Sequence, residues 1–201
     1  INMEANYLFL ISIVYFFGSI PFAYILPKIF GLGDIRNLGS GNVGATNVLR
    51  AGNKLLAIIV LAFDIIKGFA PLFILKNYYH NELSEIIILF IGSAAILGHI
   101  FPIWLKFKGG KGVATYIGFL FAINYIFGII FIITWLLIAF LKKYSSLASI
   151  TSLVLLPLFV MLFSYEKQII YLLILINLII ISKHYSNIYR LIHKSETKIK
   201  F

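Results

Sequence analysis

Three polar stretches hold most of the side chains in this sequence that could do chemistry: GSGNVGATNVLR at 39–50, FKGGKGVAT at 107–115 and KHYSNIYR at 183–190. In the first, Gly39, Gly41 and Gly44 permit positive φ, so that backbone N–H groups can turn inward as a nest ahead of a helix whose N-terminus is partly positive. Ser40, Asn42, Thr46 and Asn47 add neutral donors, and Arg50 adds a planar fork suited to phosphate. That is the chemistry of a phosphate cradle, although a polar turn with helix caps draws on the same residue types. In the second, Gly109, Gly110 and Gly112 flank Lys111 and read as a hinge that aims one ammonium at an anion. Lys106 and Lys108 read as cations snorkelling to a membrane edge. In the third, His184, Asn187 and Arg190 lie three apart and share one face of a helical turn. A lone histidine is as often structural as functional, and His99, just before Phe101-Pro102, reads as orienting its loop by hydrogen bonding.

Familiar motifs do not fit these stretches. Residues 39–44 match G-x-G-x-x-G and Asp64 follows twenty residues past Gly44, but that fingerprint needs a strand in a βαβ unit, and both flanks here are apolar runs. KGGKGVAT lacks the first glycine of a P-loop, Leu105 standing there, and Gly112 follows Gly110-Lys111 where Ser or Thr belongs. Acyl transfer commonly uses Ser-His-Asp, Cys-His or a His-x4-Asp dyad. The residues five beyond His80, His99, His184 and His193 are Glu85, Trp104, Tyr189 and Lys198, and the only acidic one lies away from the glycine stretches. With no Cys, disulfides, thiolate nucleophiles and thiolate metal sites are excluded. Asp34 and Glu196 are the only carboxylates near the basic loops and no His pair is close, so neither a metal nor a cofactor is expected. Such a site binds phosphates without an obvious base, which suits a substrate that arrives already activated.

The elements that must position these loops are membrane helices. Of 201 residues, 61% are hydrophobic, well above the roughly 45–50% of a soluble domain. Apolar runs cover 5–27, 55–76, 85–105, 113–141, 146–163 and 169–182, without the alternation of a barrel strand. The expected fold is an all-α integral membrane protein in a single domain, 1–201, with no internal repeat. Met3 reads as the natural start, Ile1 and Asn2 being extraneous, and the first run reads as a mature span because it is too long for a signal peptide and has no basic leader. The run 113–141 is long for one crossing, and Asn124-Tyr125 and Gly128 offer a turn in its middle. Splitting it gives seven spans with the N-terminus outside and the C-terminus in the cytoplasm. Fourteen of the seventeen Lys and Arg then fall inside, including Lys142, Lys143 and the tail through Lys200, as the positive-inside rule requires. That use of the excess cations replaces nucleic-acid binding, and all three polar stretches then face the cytoplasm. Asp64 and Lys67, three apart within a span, would each cost about 2.5–3.5 kcal/mol alone there; they read as a structural pair fixing helix packing, with transport as the rival use.

Taken in order, GSIPFAY, GSGNVGATNVLR, DIIKG, GHIFPIWLKFKGGKGVAT and KHYSNIYRL followed by SE resemble the motifs of the bacterial acyl-phosphate:glycerol-3-phosphate acyltransferases over nearly the whole chain. The resemblance implies a seven-helix bundle in the bacterial inner membrane, acting as a monomer with its active site on the cytoplasmic side. It implies transfer of a fatty acyl group from acyl phosphate to the 1-hydroxyl of glycerol 3-phosphate, giving lysophosphatidic acid. Ser40, Gly41, Asn42, Gly44, Thr46, Asn47 and Arg50 are then expected to hold substrate phosphate. Gly109, Gly110, Lys111 and Gly112 match a glycerol 3-phosphate loop, His184 and Asn187 match a functional pair, and Glu196 matches a supporting carboxylate. YSSLAS at 144–149 resembles a serine-bearing loop, with Ser149 or Ser146 as its active member. His193-Lys194-Ser195 departs from the pattern, since relatives often carry a glycine there. The rival functions are an organic-phosphate transporter, which the lack of repeated halves disfavours, and a transferase using a polyprenyl phosphate, which lacks acidic metal ligands.

Overall fold

The computed structural model describes residues 3–162 and 166–199. Ile1, Asn2, the last residue of the fifth apolar run, Phe163, and the tail cation Lys200 lie outside the described residues. Among the described residues there is no strand; all regular structure is helical. The chain divides into two compact units, 1–123 and 124–201.

In the first unit the opening apolar run is two helices, not one: α1, Met3–Gly18, and α2, Phe22–Ile29. Pro21 lies at the break, lacking the N–H that would continue the ladder. A polar segment leads to the short α3, Ala45–Arg50, and then to α4, Lys54–Tyr79, whose N-cap Asn53 accepts from Leu56 N at 2.9 Å. Helix α5 is Glu85–Ile100 and α6 is Val113–Ile123. Two helix crossings set the packing, and both are backbone against backbone. A Cβ on Gly98 would lie 2.2 Å from Tyr15 O of α1, and one on Gly118 would lie 1.9 Å from Ile65 O of α4. Small residues at the crossing allow that approach, the usual device where lipid supplies no hydrophobic drive between helices.

The long fourth run does divide where Asn124 interrupts it. Asn124 ends α6 and caps α7, Tyr125–Lys142, accepting from Ile126 N at 2.9 Å. The second unit continues through α8, Ser145–Leu162, α9, Lys167–Ser182, and α10, Tyr185–Ile192. Asn177 of α9 donates to Leu153 O of α8 at 2.7 Å. Helices α9 and α10 meet at a 64° bend. By length and apolar character, five segments of the described chain can cross a membrane: Asn6–Ile29, Lys54–Tyr79, Glu85–Leu105, Tyr125–Lys142 and Ser145–Leu162. Taken together as one span, the bent pair is a sixth, while α6, at 11 residues, is about half a crossing long.

Candidate functional site

In the first polar stretch Asn47 is the hub. It is 1% exposed, and its Nδ2 donates to Ile35 O and Leu38 O, both at 2.9 Å. Its Oδ1 accepts from Ser40 N at 2.8 Å and Ser40 Oγ at 3.2 Å. Every polar atom of Asn47 thus faces protein, and Ser40, itself exposed, is held by it. Gly39 and Gly41 have φ of 54° and 69°, the left-handed region glycine tolerates. Gly44 departs from the expectation of positive φ: it is extended, at −174°, and caps α3. Gly39 lies against both Asn47 and Arg50, which ends α3 and is half-buried, as are Asn42 and Thr46. The nearby carboxylate is already neutralised. Asp34 accepts from Arg36 Nε at 2.9 Å and Arg36 N at 3.0 Å, and the Arg36 bonds lower its pKa to about 2. Arg36 in turn lies 4.8 Å over the Tyr24 ring.

The second stretch opens in a tight turn in which Lys106 and Phe107 both have positive φ, 52° and 62°, a conformation that is uncommon outside glycine. Gly109 N then donates to Ile100 O and Gly110 N to His99 O, each at 3.2 Å. The loop therefore folds back onto the end of α5, and its glycines serve close approach more than the freedom a hinge needs. A Cβ on Gly110 would lie 2.2 Å from His99 Nε2 on one side and 2.4 Å from Val43 O on the other. Since Val43 belongs to the first stretch, the two glycine stretches meet at Gly110. Lys111 follows, half-buried, and Gly112 takes a φ of 91° ahead of α6.

Behind the loop lies a cluster that spacing did not foretell as a group. Lys67 Nζ is 2.8 Å from Asp64 Oδ1, and His99 Nδ1 is 3.6 Å from the same oxygen. Asp64 and Lys67 pair, as their spacing suggested, and His99 joins them from α5.

In the second unit the third stretch forms α10. His184 caps it and is 2% exposed; its Nδ1 lies 2.8 Å from Ile180 O, and because a carbonyl can only accept, Nδ1 carries the proton. Asn187 Nδ2 donates to Glu196 Oε1 at 2.8 Å and Arg190 Nε to Glu196 Oε2 at 2.7 Å. Ser146 Oγ donates to the same Oε1 at 2.9 Å. Burial alone would raise the Glu196 pKa, but hydrogen bonds from Arg190, Asn187 and Ser146 outweigh it and lower the value. Ser149 is elsewhere in α8: it accepts from Trp135 Nε1 at 3.0 Å and donates to Ser145 O at 2.9 Å. The two serines offered by sequence thus have different partners, Ser146 joining the Glu196 hub.

Apolar helices carrying glycine-lined polar loops and no strand among the described residues define a helical integral membrane protein whose loops are furnished for anions. The chain belongs to the glycerol-3-phosphate acyltransferase family, whose model it matches over residues 8–194, and it is an acyltransferase. It is 46% identical over 196 residues to the glycerol-3-phosphate acyltransferase of Pelagibacter ubique (strain HTCC1062), covering 97% of this chain and 98% of that one. Against the corresponding protein of Bartonella quintana (strain Toulouse) identity is 45% over 193 residues, 96% and 90% of the two chains. Its fold resembles the crystal structure of PlsY (YgiH), an integral membrane glycerol 3-phosphate acyltransferase in its glycerol 3-phosphate form, with a TM-score of 0.90, 39% identity and coverage of 97% and 96%. The lysophosphatidic acid form of PlsY gives a TM-score of 0.88 and 37% identity.

Proposed function

We propose that the protein transfers a fatty acyl group from acyl phosphate to the 1-hydroxyl of glycerol 3-phosphate, releasing inorganic phosphate and 1-acyl-glycerol 3-phosphate. The observation that carries this reading is the meeting of the two glycine stretches at Gly110, flanked by His99 and by Val43 O, within a chain of this family. The glycerol hydroxyl oxygen attacks the acyl carbon, the bond from that carbon to the phosphate oxygen breaks, and the departing phosphate takes up the hydroxyl proton. A mixed anhydride needs little activation beyond stabilising the charge on its leaving group, which Arg50, Lys111 and backbone N–H groups are suited to supply. The enzyme's main task is then to orient two anions. In this reading Ser40, Arg50, Lys111, His184 and Asn187 act on substrate. Gly41, Asn42, Gly44, Thr46, Gly109, Gly110, Gly112 and Ser149 line the phosphate sites, with Asn47 holding Ser40. No metal or other cofactor takes part.

The chain works as one domain, a reading supported by a family match that runs across both units, and as a monomer. Seven spans, with α6 as a short one, put the N-terminus outside and the polar stretches in the cytoplasm of a bacterium, across its inner membrane. Fourteen inward cations support that orientation. The chain has no Cys, so single-cysteine variants at residues 40, 82, 108 and 143 can be labelled from either side; labelling of 108 from outside would overturn the topology.

Purified protein in lipid, given palmitoyl phosphate and glycerol 3-phosphate together and then each alone, tests the activity. Phosphate release only with both, matched by lysophosphatidic acid, is expected, and palmitoyl-CoA should not replace the donor. Absence of product with acyl phosphate would sink the reading.

A further inference from the structure

Two buried ionised groups in membrane helices demand a reason, because pairing alone seldom repays their desolvation. Asp64 and Lys67 are each 1% exposed and His99 is 8% exposed. Their contacts lead outward in two directions. Lys67 Nζ donates to Ile20 O at 2.9 Å, at the break between α1 and α2; Asp64 Oδ1 lies 2.8 Å from Lys67 Nζ and 3.6 Å from His99 Nδ1, the latter longer than a hydrogen bond, so the carboxylate faces the ring by charge and packing. His99 is the end that touches the second glycine stretch: its carbonyl accepts Gly110 N at 3.2 Å, and its Nε2 faces the Cα of Gly110, leaving no room for even a methyl group. Lys67, His99, Gly109 and Gly110 share the wall of one small cavity.

We propose that Asp64, Lys67 and His99 form a positioning unit: the pair, anchored on Ile20 O, fixes the His99 ring, and the ring sets the seat of Gly109 and Gly110 from beneath. The inference rests on the reading of this loop as the glycerol 3-phosphate site. The unit acts through the loop and touches no substrate. With Gly110 packed over Nε2, His99 is a strut and not a proton acceptor, even though an Asp beside a His has the composition of a catalytic dyad.

Three variants distinguish these roles. His99→Leu keeps bulk and loses both nitrogens, His99→Asn keeps a donor where Nδ1 stands, and the double variant Asp64→Asn with Lys67→Met removes both charges while nearly keeping shape. His99→Leu and the double variant should raise KM for glycerol 3-phosphate about tenfold, with KM for palmitoyl phosphate within about twofold, as expected when one loop is misplaced by a fraction of an ångström. His99→Asn should recover most of the loss, which a histidine base would not allow. Combining His99→Leu with the double variant should add little, because the groups act in one chain. Amide exchange at Gly109 and Gly110 should quicken in His99→Leu and not in His99→Asn, whatever substrate the enzyme uses. Unchanged KM and unchanged exchange in both His99→Leu and the double variant would overturn the unit, as would a His99→Asn enzyme as impaired as His99→Leu. If His99→Leu does not fold, the double variant decides. A parent that exchanges as expected but makes no product would count against the functional reading, not against the strut.

Discussion

Asn47 Oδ1 accepts both hydrogen bonds that Ser40 offers, one from its backbone N–H at 2.8 Å and one from its hydroxyl at 3.2 Å. One buried amide thus fixes an exposed serine, and the cost of losing it falls on two parts of the loop at once. Asn47→Asp keeps the shape but sets lone pairs against Ile35 O and Leu38 O, which Nδ2 now serves. Each buried group left without a partner costs about 1–3 kcal/mol. Turnover should fall at least tenfold, about 1.4 kcal/mol in the barrier, together with a lower Tm. Wild-type kinetics in Asn47→Asp would show that turnover does not depend on the Asn47 bonds to Ile35 O and Leu38 O.

Gly110 has no space for a side chain, so Gly110→Ala must move either the His99 ring or the Val43 backbone. The expected outcome is a rise in KM for glycerol 3-phosphate of about tenfold or more, by the same misplacement of phosphate donors. Initial rates over a range of glycerol 3-phosphate at saturating donor measure it.

Lys111 and His184 should separate on substitution. Lys111→Ala removes the cation proposed to face an anionic substrate and should lower kcat/KM by about a hundredfold or more, the range for a lost charge-stabilising donor. His184→Gln keeps a polar side chain in a buried position beside Ile180 O and should retain much of the activity if His184 orients its surroundings. A loss equal to that of Lys111→Ala would instead support a base at His184.

Stability should depend on pH through Glu196. Its folded-state pKa lies below the ordinary 4.5. A depressed carboxylate stabilises the fold fully above its unfolded value, and that contribution is lost as pH falls through the folded one. The Tm of the parent should therefore exceed that of Glu196→Gln at about pH 7, with the gap closing below about pH 4.5 as the parent becomes protonated. A gap that stays constant with pH would remove Glu196 as its source.

Hydropathy made the helices legible, and charge pointed to the break at Asn124, because a single crossing would separate Lys142 and Lys143 from the earlier basic loops. The break at Pro21 was hidden inside an unbroken apolar run, where Pro can be absorbed as a kink. The polar stretches announced themselves by composition, but their internal division of labour did not. Asn47 and Ser40 look alike as donors in a sequence; only burial separates the hub from the group it holds. The Asp64–Lys67 pair followed from helical spacing, whereas His99 joins it across α4 and α5, a contact no local period encodes. Gly109 and Gly110 looked like hinge residues, yet the carbonyls of His99 and Val43 and the His99 ring leave no room for a Cβ on them.

The Glu196 hub also has a consequence in time. Its donors, Ser146, Asn187 and Arg190, are all synthesised before their common acceptor, so the knot that ties α8 to α10 can close only after residue 196 has been made. A chain interrupted before residue 196 would present the membrane quality-control machinery with helices already inserted and a polar knot never tied.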